Sequence, residues 1–102
     1  MKSFDEYQTL ATAVPAALRN NRTRIVFPVL GLQQGAGSIG SLLASGLPLT
    51  PKQCSELQDR LSDVLWYLAL ICGESGISLQ SVAEYSVSQL EKRRAALDPE
   101  KR

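Results

Sequence analysis

The chain contains no histidine at all. That removes the commonest general base and the commonest zinc ligand together, so Ser-His-Asp triads, Cys-His pairs and HExxH zinc sites are excluded. Cysteine is scarce as well, with only Cys54 and Cys72. They lie 18 residues apart within one expected helix, hence about 27 Å apart, beyond the reach of an intrachain disulfide. Without a CxxC spacing they read as buried or idle thiols, which fits a reducing, cytoplasmic setting. The polar start MKSFDEYQ lacks the apolar run of a signal peptide. Charge is missing from Ile25 to Pro51, and no acid occurs between Glu6 and Glu56. An uncharged run of that length raises the question of a membrane span. Pro28, Gln33, Gln34 and the interspersed glycines and serines argue instead for a buried helix, with no membrane partner.

What is present describes one ordinary domain. The 102 residues are 44% hydrophobic and 21% charged, with 11 basic and 10 acidic side chains and a net charge of +1. Such a balance provides no general attraction to nucleic acid or to an anionic bilayer. A single domain over residues 1–97 is expected, with residues 98–102 as a frayed tail.

Four helical segments and no strand are expected. The first starts at Ser3, with Glu6 completing a capping box, and carries Phe4, Tyr7, Leu10 and Ala11 at helical spacing until Pro15 kinks or ends it. Arg19 to Arg24 is a polar, basic loop. The second segment runs from about Phe27 to Ser45 and contains Gly31, Gly35, Gly37 and Gly40. Each glycine costs about 1 kcal/mol relative to alanine inside a helix. Close packing through Gly31/Gly35 and Ala36/Gly40 would offset that cost; the alternative is an interrupted helix. After Gly46–Leu49, Thr50, Pro51 and Gln53 open the third helix with a cap, an N1 proline and a capping-box glutamine. Its apolar stripe is Leu57, Leu61, Val64, Leu65, Leu68 and Ile71. Gly73 to Gly76 ends it and Ser78 opens the fourth, whose expected buried face is Leu79, Val82, Ala83, Val87 and Leu90. Lys92, Arg93 and Arg94 then suit the negative end of the helix dipole. Antiparallel helices on short turns make a four-helix bundle. The apolar content of the middle segments exceeds what one such bundle hides, so a homo-oligomer, most simply a dimer, is expected.

The segments GLQQGAGSIGSLL, DRLSDVLWYLALI and GISLQSVAEYSVSQLEKR together resemble the MazG-like all-alpha nucleoside triphosphate pyrophosphohydrolases, from about Phe4 to Arg93. The resemblance implies a MazG-like bundle in which an ExxE pair faces an ExxD pair on the next helix. Those carboxylates hold Mg²⁺, which binds the triphosphate and activates water, yielding a nucleoside monophosphate and pyrophosphate. Residues at i and i+3 lie on one face about 5–6 Å apart, so each pair aims two carboxylates at one spot. Mg²⁺ suits such hard oxygen ligands.

Mapped onto this sequence, the first pair falls on Gly35 and Ser38 and the second on Arg60 and Asp63. Only Asp63 keeps a carboxylate. The family's substrate-side Asn and Lys fall on Ser86 and Gln89, while its Arg is retained as Arg93. The resemblance therefore implies a homologue with impaired or lost metal chemistry, no resident cofactor, and residual nucleotide binding or an interaction role. Arg60 and Arg93 are candidates to hold a phosphate without metal, and Trp66 to stack on a base. Two other readings stand beside this one. Glu56, Asp59 and Asp63, at i, i+3 and i+7, could form a non-standard Mg²⁺ ligand set, with acids from another chain, in an active enzyme. Alternatively the chain is a structural helical adaptor, those acids forming a solvated stripe beside Lys52 and Arg60.

Overall fold

The structure is a computed structural model and describes residues 3–13 and 25–97. Within these residues there are four helices and no strand: α1 (Phe4–Ala13), α2 (Val26–Leu43), α3 (Pro51–Glu74) and α4 (Leu79–Leu97). Pro15, the 19–24 loop and the 98–102 tail lie outside the described residues.

The helix boundaries follow local chemistry. Ser3 Oγ accepts from the Glu6 N–H at 3.2 Å. The Thr50 box is complete: the Gln53 N–H donates to Thr50 Oγ1 at 3.2 Å and the Thr50 N–H donates to Gln53 Oε1 at 2.9 Å, with Pro51 at N1. α3 ends where Gly76 adopts a positive φ of 71°, which lets the Ile77 N–H reach the Cys72 carbonyl at 2.8 Å. Only glycine enters that region without strain. The Ser81 N–H donates to Ser78 Oγ at 3.2 Å, as expected for a cap of α4.

α3 is the central element. Among the described helices α2 packs on α3 alone, α1 packs on α3 and α4, and α4 meets α3 and α1. On the α2 side the approach is backbone-close. A Cβ at Gly31 would fall 2.6 Å from the Tyr67 ring, and one at Gly35 would fall 2.9 Å from Val64 Cγ2. On the other side Trp66 donates from Nε1 to the Ala11 carbonyl at 3.1 Å. Phe27, Trp66 and Tyr67 form an aromatic trio with centroids 5.5–5.9 Å apart, tying α2 to α3. Edge-to-face pairs at such distances add to plain burial.

α1 is stitched to the start of α4 by side-chain amides. Gln8 accepts from the Leu79 N–H at 2.9 Å and donates to the Ile77 carbonyl at 3.0 Å. Gln80 Oε1 accepts from the Phe4 N–H at 3.0 Å. Each bond satisfies a backbone group that a helix end or turn leaves without an intrahelical partner.

Three expectations need correction. α2 is one continuous helix, so the interrupted alternative falls. Only half of its glycine argument holds, because Gly40, like Gly37, would meet nothing within 4 Å on gaining a Cβ, and Ala36 is exposed. Second, α3 buries Ala69 and Leu70 completely although neither belongs to the stripe, whereas Leu61 and Leu68 stay exposed. A helix with neighbours on two sides buries more than one stripe. Third, α4 buries Leu79 alone; Val82, Val87 and Leu90 are exposed. Its contacts with α1 and α3 do not cover that face, and α2 does not reach it.

Because Gly37 and Gly40 face open space, Gly37→Ala and Gly40→Ala should each stabilise the chain by about 0.5–1 kcal/mol. The denaturant midpoint measures this. A loss instead would mean that something outside the chain packs against these backbones.

The core is small: Ala11, Ala69 and Leu79, with Phe4, Tyr7, Trp66 and Cys72 packed against them, and Leu70 and Pro28 fully enclosed. The radius of gyration is 16.8 Å, against about 13 Å for a compact chain of this length.

Candidate functional site

Gly31, Gln34, Gly35 and Ser38 recur at i, i+3, i+4 and i+7, so they share the face of α2 that meets α3. Opposite them α3 presents Arg60, Asp63 and Tyr67. These seven residues line one cleft of about 130 Å³. All four positions singled out in the sequence, Gly35, Ser38, Arg60 and Asp63, are thus brought together. Gln34 was not foreseen, although its spacing from Ser38 and Gly31 marks it on the same face.

The cleft is rich in donors. The Arg60 guanidinium, the Ser38 and Tyr67 hydroxyls and the Gln34 amide can all offer hydrogen, whereas Asp63 is the one carboxylate among the described residues that line it. Neither Arg60 nor Asp63 has an ion-pair partner among the described residues. An adjoining wider cleft of about 610 Å³ shares Gln34, Ser38 and Arg60 and continues along Gly37, Ser41 and Leu42. Arg60 stands between the two.

Mg²⁺, which the resemblance implies, does not fit these residues. It needs several hard oxygen ligands, and here one carboxylate shares a small cleft with a guanidinium that repels a dication. Among the described residues no group of three His, Cys, Asp or Glu could hold a metal ion. Glu56 is half-buried and Asp59 exposed, and neither lines the cleft. Restoring a carboxylate at position 35 would also meet a steric obstacle, since any Cβ there collides with the stiff Val64 side chain.

Arg93, Ser86 and Gln89 sit on α4, which does not touch α2, and none of them lines this cleft. Trp66 lies on the α1 side of α3, where its indole N–H is committed to Ala11. There it lines a different cleft, together with Tyr7, Leu10, Ala11, Ser62 and Asp63. Burial, and secondarily the Asp63 carboxylate, raise the pKa of the Tyr7 hydroxyl above its ordinary value. Both cysteines are free thiols, Cys54 exposed and Cys72 half-buried. No helix among the described residues is long and apolar enough to cross a membrane. Comparison with protein-family models, curated proteins and solved structures finds no match for the chain.

Proposed function

We propose that the chain is a MazG-like nucleotide pyrophosphohydrolase homologue without metal chemistry, which holds a phosphate ester through Arg60. The observation that carries this reading is the convergence of Gly35, Ser38, Arg60 and Asp63 on one cleft, at positions where the resemblance implies metal ligands. A guanidinium presents paired N–H groups that match two phosphate oxygens. Ser38, Gln34 and Tyr67 add donors around it. The cleft of about 130 Å³ accepts a phosphoryl group but not a nucleoside, while the adjoining 610 Å³ cleft has room for the remainder of a nucleotide.

The proposal includes assembly into a homo-oligomer, most simply a dimer. Its support is the apolar surface left exposed on the described helices. A standard interface hides about 800 Å² per partner. Exposed Val29, Leu30, Leu61 and Leu90 are candidates for such a surface.

Calorimetric titration with inorganic pyrophosphate and nucleoside triphosphates in EDTA tests the binding. Wild type should bind, and Arg60→Ala should weaken binding about tenfold or more. Pyrophosphate release that requires Mg²⁺ and vanishes in Asp63→Ala would replace this reading with an active enzyme of unusual ligand set. Absence of any binding would favour a structural adaptor. Sedimentation at micromolar concentration decides the assembly, and a monomer there would remove that part.

A further inference from the structure

The α1–α3 cleft adjoins the proposed phosphate site across Asp63, and it differs from that site in kind. Its volume is about 370 Å³, within the range of small-molecule sites. Tyr7, Leu10, Ala11 and Trp66 supply apolar and aromatic wall, and Ser62 and Asp63 are its polar groups. Among the described residues no arginine or lysine lines it. We propose that this cleft binds a small organic cation with an aromatic or apolar body, its ammonium or guanidinium group on Asp63 and its body against Trp66 and Leu10.

Three features argue for a cation and against a neutral or anionic ligand. The Asp63 carboxylate has no hydrogen-bond or ion-pair partner among the described residues, so its acceptor capacity is unspent on this side. Trp66 is held by its bond to the Ala11 carbonyl. Its N–H is already used, and the indole that lines the cleft is an electron-rich ring of the kind that attracts cations. The Tyr7 ring adds a second such surface, and its hydroxyl is within the electrostatic reach of Asp63. Leu10 is 65% exposed at the rim, an apolar contact for the body of a ligand whose charged end points inward.

This site does not depend on phosphate binding at Arg60, but the two share Asp63 as a wall. Removing the carboxylate's charge should therefore act in opposite directions. Asp63→Asn should weaken cation binding, and it should strengthen anion binding in the α2–α3 cleft by removing a like charge.

Trp66 is the single tryptophan of the chain, so its fluorescence reports the cleft directly. Wild-type protein is titrated with benzylammonium and, in parallel, with benzyl alcohol, a neutral molecule of nearly the same shape. A saturable change with benzylammonium is expected, at least about tenfold weaker for benzyl alcohol. The same loss is expected for benzylammonium with Asp63→Asn, whose helicity is checked by circular dichroism. Asp63 is exposed, so the substitution leaves the core intact. Equal binding of the two ligands, unchanged binding by Asp63→Asn, or no saturable response would each overturn the proposal. Pyrophosphate titration of the same variant scores the phosphate reading separately.

Discussion

Leu70→Ala is expected to destabilise the chain by about 2–5 kcal/mol, the cost of emptying a leucine-sized space in a packed interior. Leu70 is completely enclosed on the one helix that contacts all the others. The small core has few other fully enclosed side chains, so the structure has little capacity to collapse onto the void. For a domain whose net stability is of order 5–15 kcal/mol, such a loss is a large fraction. Denaturant unfolding followed by circular dichroism measures it. Leu47→Ala is the matched control. Leu47 is 79% exposed, and its loss should change stability by no more than about 0.5 kcal/mol. Comparable effects at the two positions would contradict the central place of α3.

Gly31→Ala should destabilise by about 1–3 kcal/mol even though alanine is the better helix former. The new methyl would sit 2.6 Å from Cε1 and Cζ of Tyr67. The ring cannot swing aside cheaply, because it is held against Phe27 and Trp66. The sign of the effect is the test. In a Tyr67→Ala background the obstacle is gone, and Gly31→Ala should then be neutral or stabilising by up to about 1 kcal/mol. That double-mutant cycle isolates the contact from everything else glycine does. A loss of the same size in both backgrounds would mean that Gly31 is needed for some reason other than its approach to Tyr67. The same reasoning separates Gly31 and Gly35 from Gly37 and Gly40, which composition treats alike.

The local punctuation of the chain was legible in advance. Thr50, Pro51 and Gln53 announce the start of α3, and Gly73–Gly76 its end, because caps and turns depend on residues only a few positions apart. Gly35 with Ser38, and Arg60 with Asp63, were singled out by the resemblance, and their i, i+3 spacing puts each pair on one helix face. The resemblance led to the expectation that these two faces would meet.

Burial was less legible. The stripe from Leu57 to Ile71 captures one side of α3 but misses Ala69, which clusters with Ala11 of α1, a neighbour far away in sequence. On α4 the opposite happened. A face with the right spacing, Val82, Val87 and Leu90, remains exposed, because periodicity reports that a helix is amphipathic and not that a partner exists. The α1–α3 cleft had no sequence signal at all, since Tyr7 and Asp63 are joined only by packing.

The sequence alone settles that no histidine chemistry is available, that the described elements are helices, and where most of them begin and end. These follow from side-chain inventory and from interactions within one or two turns. Which glycines are indispensable, which apolar faces find a neighbour, and that Asp63 stands between two clefts were decided by the tertiary arrangement. Those properties depend on distances between residues remote in the chain, and such distances are set by how helices pack together.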